Sequence, residues 1–386
     1  MQRYYFDHNA TTGVSPEVME AMAPCFGEVY GNPSSIHHFG QMAKQRLEMA
    51  RRQTASLLNC RPQEIVFVSG GTEGDNLALL GSLRPCQDKH VITTRIEHPA
   101  VLGTCAQIER EGGEVTYLRV GAQGVVEPDD VRRALRPNTA IVSVMHANNE
   151  LGTVQPVGEI ARITREAGVP LHSDGVQAAG RLATDVKALG VDLYTISGHK
   201  IHAPKGIGAL FVRKGTTLTG IMHGGHHERD RRAGTENVAG AVGLGKAAEC
   251  GSRDRDAESA RVAGLRDRLE NGILERVPYT GVNGSRAARI PNTTNLYFDW
   301  VEGESLVIAL DLRGFAVSSG SACSSGSTEP SHVLLAIGLV PERARASIRF
   351  SLGRSNTVEQ VDALIDAVVD SVAHLRKISP LTPAHA

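Results

Sequence analysis

Short apolar runs without polar alternation recur along the first half of this chain, with helical periodicity between them. No other feature restricts the fold as much. Glu64 to Ser69, His90 to Ile96, Val115 to Val120, Ala140 to Met145, Pro170 to Asp174, Leu193 to Ser197 and Gly208 to Val212 all read as buried strands. A strand that is apolar on both faces needs cover on both faces. Met42 to Leu58 and Pro156 to Glu166 carry the spacing of helices that supply it. The alternation predicts an α/β chain with a mainly parallel sheet. From Ser252 the character changes to a charge-rich helical segment ending near Val277. After it come a strand at Thr293 to Trp300, a helix near Glu304 to Leu312, strands at Ala316 to Ser318 and Ser347 to Leu352, and a closing helix near Val358 to Arg376. These predict a second, smaller α/β domain.

Composition narrows the function. A length of 386 residues with 41% apolar and 22% charged residues describes an ordinary globular protein. A net charge of −1 gives no general attraction to nucleic acid or anionic lipid, so neither is an expected partner. No apolar run approaches the ~20 residues that span a bilayer, and the N-terminus lacks a basic segment followed by an apolar one. The six cysteines are scattered without C-x-x-C pairs. That argues for reduced thiols and a cytoplasmic location, against a disulfide framework or a zinc site.

Chemistry-bearing residues gather where the predicted strands end, the edge at which open α/β sheets bind ligands. Lys200, in Ile196-Ser-Gly-His-Lys200, is placed to form a Schiff base, with Ser197 and His199 beside it to reach a phosphate. Asp174 ends the preceding strand, where it can hold a pyridinium nitrogen protonated or, equally, cap the next helix. Gln177 lies one turn on, within reach of a ring hydroxyl. Gly71 and Thr72 open a helix after a strand and form a phosphate cradle, though with neither Walker nor Rossmann spacing. His98 can stack on an aromatic cofactor or simply be a structural histidine. Asn149 follows another strand. Arg349 sits inside a predicted strand, where its planar fork suits an α-carboxylate or an internal ion pair. Cys323 lies in Ser318-Ser-Gly-Ser-Ala-Cys-Ser-Ser-Gly-Ser327, a run with no apolar pattern to bury it and no neighbouring cysteine. A thiol displayed in this way can act as a nucleophile.

In order and spacing these segments resemble the cysteine desulfurases, a group within the class-V aminotransferases and the fold type I pyridoxal 5'-phosphate enzymes. The likeness runs from Tyr5-Phe-Asp-His-Asn-Ala-Thr-Thr12 to Ile348-Arg-Phe-Ser-Leu-Gly-Arg354. Ser321 to Ser327, followed by Glu329-Pro-Ser-His-Val333, is similar to the long mobile loop of the members that serve iron–sulfur assembly. The resemblance implies an aspartate-aminotransferase-like fold with a seven-stranded sheet in a large domain, 15–257. The small domain would comprise 1–14 and 258–386 and carry the cysteine loop at about 318–331. It implies pyridoxal 5'-phosphate on Lys200, stacked by His98, with Asp174 and Gln177 on its nitrogen and hydroxyl. Gly71, Thr72, Ser197 and His199 would bind its phosphate, joined by Thr235 from the second subunit of a homodimer. Asn149 and Arg349 would hold L-cysteine. Lys200 would take the α-proton, and Cys323 would receive the sulfur as a persulfide, leaving L-alanine. A sulfur-acceptor protein such as an iron–sulfur scaffold follows as a partner. No resident metal is implied, only Cys323 as a transient iron–sulfur ligand. An aminotransferase or a selenocysteine lyase is the alternative within the same fold. The sequence departs from the family pattern at Gly175, at His202-Ala203 and at His226-His227.

Overall fold

In the computed structural model, which describes residues 2–84, 89–319, 329–380 and 382–383, the apolar runs assemble into one 7-stranded sheet. Its spatial order is Ile65–Val68, Gly208–Val212, Leu193–Ser197, Leu171–Asp174, Thr139–Ser143, His90–Thr94 and Glu114–Leu118. Gly208–Val212 runs antiparallel to both of its neighbours, and the remaining pairs are parallel. The mainly parallel α/β reading therefore holds.

Alternation along each strand sends side chains to opposite faces. Ile65 and Phe67 join a core beneath the helices His38–Leu57 and Val157–Glu166, while Val66 and Val68 join one with the helices Gly71–Leu83 and Pro99–Arg110. Each such aliphatic side chain, taken fully from water, stabilises the fold by about 1.5–3 kcal/mol. Both faces are dry, as the missing polar alternation requires.

The smaller unit is a 4-stranded antiparallel sheet in the order Ser318–Ser319, Ser347–Ser351, Thr293–Phe298, Thr280–Val282. Helices Gly303–Leu312 and Val358–Ile378 belong to it. The N-terminal Tyr4–Tyr5 pairs with Phe315–Ala316, and Asp7 bridges to Ser351. The first residues thus cross the small unit before entering the large one.

One helix, Val238–Arg276, belongs to both cores. Its Ala241, Leu244, Ala247 and Ala248 pack in the large one, and Val262, Leu265, Leu269 and Ile273 in the small one. It begins well before Ser252 because Gly240, Gly243 and Gly245 blur the apolar period there. Gly245 serves close approach: a Cβ on it would lie 2.6 Å from Ala50 Cα. Among the described residues no helix is long and apolar enough to cross a membrane.

Candidate active site

The predicted site residues of the large sheet lie past the carboxyl ends of its parallel strands. Ser197 ends its strand, buried, and the turn Gly198–Lys200 follows. Lys200 Nζ donates to the backbone oxygens of Asn9 and of Ala10, the latter at 2.7 Å. His199 is held by its Nδ1 against Thr11 Oγ1 at 3.1 Å, and its carbonyl accepts from Thr12 Oγ1 at 2.9 Å. Burial, with the cations of Lys200 and Lys205, pushes its imidazole down to about 4. The turn after the lysine is fixed by His202, whose φ of 68° is left-handed. His202 N donates to Thr12 Oγ1 at 2.9 Å and its Nδ1 faces Gly13 O at 3.1 Å. The departure at His202 is therefore an anchor on the N-terminal segment.

Asp174 ends the strand Leu171–Asp174 and is buried. One oxygen accepts from Val176 N at 2.9 Å; the other makes no hydrogen bond among the described residues. Burial, and then the nearby Asp75 carboxylate, push its acid up to about 7. Gln177 Nε2 donates to Asn9 O at 3.0 Å. His98 caps the helix Pro99–Arg110 by accepting from Ala100 N at 3.1 Å, and burial lowers its pKa. Gly71 and Thr72 open the helix Gly71–Leu83. A Cβ on Gly71 would sit 2.9 Å from Val176 Cγ2 and 3.7 Å from Ser197 Cβ, so the helix start, Ser197 and the Asp174 turn share one wall.

Gly175 answers to its neighbour. A Cβ there would fall 1.9 Å from Cζ of Tyr194, a fully buried ring whose hydroxyl meets His146 Nδ1 at 2.8 Å. The glycine and the tyrosine form one packing solution.

From the small unit, Arg349 reaches back across the domain boundary. Its Nη1 donates to Asn149 O at 3.0 Å and its Nη2 to Asp7 Oδ1 at 2.7 Å, while Nε is buried with no partner. Ser318 stands directly opposite Arg349 in the sheet. Ser331 Oγ donates to Glu150 Oε2 at 2.6 Å and accepts from Val333 N at 3.1 Å, closing the start of the helix His332–Ala336. Thr235 is exposed, ahead of the helix Val238–Arg276. Cys323 lies in 320–328, outside the described residues. Among the described residues no group of three or more His, Cys, Asp and Glu is placed to hold a metal ion.

Several site residues had no signal in the sequence reading. Asn9 is the hub on which Lys200 and Gln177 converge, and its Nδ2 donates to Asn149 O at 3.1 Å and Thr293 Oγ1 at 2.8 Å. Asp7, Arg181 and Glu150 were equally silent. The Tyr5 to Thr12 segment carried only the resemblance, because an Asn next to Ala and Thr announces no chemistry until the fold brings it to a lysine.

The donor set fits pyridoxal phosphate. A buried carboxylate with one oxygen unengaged suits a ring N–H, since a buried charge needs a partner. A helix start with Gly71 and Thr72, faced by Ser197, suits a phosphate. The unpartnered Arg349 Nε, beside an already engaged fork, suits one carboxylate oxygen.

Comparison with known proteins agrees. The sequence profile of the class-V aminotransferases matches residues 4–364. A cysteine desulfurase from Trichormus azollae is 49% identical over 98% of this chain and 95% of its own length. The cysteine desulfurase IscS of Methanosarcina thermophila is 48% identical over 98% and 94%. A solved NifS-like protein superposes with a TM-score of 0.91 at 35% identity, covering 97% of this chain and all (100%) of its own. A structure described as SspA in complex with cysteine gives 0.81 at 36% identity over 92% and 99%.

Proposed function

Because the chain belongs to the class-V aminotransferase family, and is a cysteine desulfurase that depends on pyridoxal phosphate, we propose how its own residues divide the work, with Cys323 as the sulfur carrier. One observation carries the assignment. Both ends of the segment bearing Cys323 stand on groups at the substrate site: Ser318 is paired opposite Arg349, and Ser331 is bonded to Glu150, next to Asn149. The described cysteines Cys25, Cys60, Cys105 and Cys250 lie elsewhere in the chain, and burial raises the pKa of each.

Lys200, Asp174, Gln177, His98, Gly71, Thr72, Ser197 and His199 would hold the cofactor, with Thr235 contributed by a second copy. Bound there, pyridoxal phosphate supplies a carbonyl for the cysteine amine and a ring that withdraws electrons from its α-carbon. Asp174, whose acid burial raises to about 7, would hold the proton on the ring nitrogen through its open oxygen. Arg349, braced by Asp7 and Asn149, grips the α-carboxylate and so orients the α C–H toward Lys200. Lys200 Nζ takes that proton. The Cys323 thiolate attacks the substrate Sγ: an S–S bond forms, the Cβ–S bond breaks and its electron pair stays on carbon; Cβ is then protonated and Lys200 returns the proton to Cα, giving L-alanine.

Exposed Phe26, Tyr30, Ile36 and Phe39, at 71%, 66%, 95% and 47% exposure, offer an apolar surface that a second copy would cover. We read the enzyme as a homodimer on that ground and on the outward-facing Thr235. The described cysteines are free thiols, in keeping with a cytoplasmic enzyme that hands its persulfide to an acceptor such as an iron–sulfur scaffold.

Mass spectrometry after incubation with L-cysteine tests the carrier. The Cys323 peptide should gain one sulfur, about +32 Da, and no other cysteine should. Cys323→Ser should retain the cofactor's visible band while losing persulfide and sulfide release. Full activity in that variant would sink the assignment and favour the aminotransferase or selenocysteine-lyase reading.

A further inference from the structure

The guanidinium of Arg181 is the charge near the site that the catalytic scheme leaves unused. It is packed behind Gln177, where its Nη1 donates to Gln177 Oε1 at 2.8 Å and to Gln177 O at 2.9 Å, and its Nη2 to His8 O at 3.2 Å. All three acceptors are neutral, and among the described residues no carboxylate pairs with it. Its strongest charged neighbour is another cation, Arg349, which together with burial pushes Arg181 down to about 10. Arg181 is half-buried, and a partly desolvated charge without a counter-charge points to an anion that arrives with a ligand.

The hydrogen-bond geometry says which ligand atom that is. Guanidinium groups donate only, so Arg181 dictates that Gln177 present Oε1 to it and Nε2 to the opposite side. Nε2 carries two hydrogens, and Asn9 O takes one of them at 3.0 Å. A flipped amide would set donor against donor at Arg181 and carbonyl against carbonyl at Asn9. The second Nε2 hydrogen is therefore aimed and held. Lys200 donates to the same Asn9 carbonyl, so the lysine and the Gln177 amide are registered to one atom.

We propose that Arg181 is a positioning residue for the cofactor: it locks the Gln177 amide and, through it, lends positive charge that keeps the cofactor's ring hydroxyl ionised. This role rests on the reading that Gln177 meets that hydroxyl. Other charged or titratable groups facing the site are Asp174, His98, His199 and Lys200 from the sheet edge, with His8, His202 and Arg349 from the side of the small unit. Of these, Asp174, His98, His199, His8, His202 and Arg349 make no hydrogen bond to Gln177 among the described residues.

A purely structural Arg181 would affect folding without changing the cofactor's titration. The test is a pH titration of the visible absorbance of the substrate-free holoenzyme. Arg181→Gln keeps a donor for Gln177 and removes only the charge, and should raise the midpoint by about one pH unit. Arg181→Lys keeps the charge and should stay within about 0.3 unit. Should Arg181→Gln fail to fold, Gln177→Glu, which sets a carboxylate against Arg181, must raise the same midpoint. Equal midpoints in Arg181→Gln and the unsubstituted holoenzyme overturn the role while leaving the cofactor's placement intact. A midpoint unmoved by Gln177→Glu overturns the underlying contact, and the Arg181 role with it.

Discussion

Two buried carboxylates, one in each unit, show how differently the halves of this molecule treat charge. Glu270, in the small unit, is fully buried, yet its pKa lies below the ordinary value. Burial works to raise it, but Arg289 at 2.5 Å, Thr294 Oγ1 at 2.6 Å and Arg286 at 2.8 Å more than offset that. Asp174, at the edge of the large sheet, has one backbone donor and a second acid, Asp75, nearby; its pKa is raised. Glu97 behaves in the same way, pushed to about 8 by burial, with Oε2 unpartnered. The small unit neutralises its buried charge internally. Asp174, at the edge of the large sheet, is left with one oxygen open on the side where we place the cofactor.

The contrast is most directly broken at Asp174. Asp174→Ala should lower desulfurase turnover by roughly 10²–10³-fold at saturating L-cysteine and cofactor, because no group then holds the ring nitrogen protonated. Apoprotein stability should hold or rise, which a urea melt checks. Glu270→Gln should do the reverse: activity per folded molecule kept, but stability lowered by about 3 kcal/mol, since Arg289 is left buried without its partner. Loss of activity without loss of stability in that variant would erase the distinction.

Gly175→Ala should cost about 1–3 kcal/mol through its collision with Tyr194, and Tyr194→Phe should not relieve it, since ring carbons at 1.9 and 2.0 Å collide as well as the hydroxyl. The smallest effect is expected at Glu97. Its folded pKa of about 8 exceeds its ordinary 4.5, so its contribution is complete below about 4.5 and is lost as pH rises through about 8. Glu97→Gln should therefore change the melting temperature little at the acid end and raise it toward pH 8, flattening the apoprotein's pH profile. An unchanged profile would mean that Glu97 does not titrate in this window.

Legibility in the sequence followed how local the determining physics is. The strands from Ile65–Val68 to Gly208–Val212 were readable because both-face burial writes itself as an unbroken apolar run. Lys200, Asp174 and His98 were readable because each ends or follows such a run. The early start of the helix Val238–Arg276 was not, since glycines chosen for close approach carry no periodicity. Asn9, Asp7 and Arg181 were silent for another reason. Their roles are contacts to residues far along the chain, such as Asn9 Nδ2 to Thr293 and Asp7 to Arg349.

The residue types, their order and the alternation of strand and helix determined the fold class, the family and the chemistry on offer. Tertiary structure alone decided which charges are compensated. It set Arg349 against Asp7 and Asn149, left Arg181 without a carboxylate among the described residues, and brought Ser318 opposite Arg349 and Ser331 to Glu150. The reason is physical. Periodicity and strand ends are properties of neighbours in sequence, whereas the worth of a charge depends on burial and on partners within a few ångströms, which only the packed chain supplies.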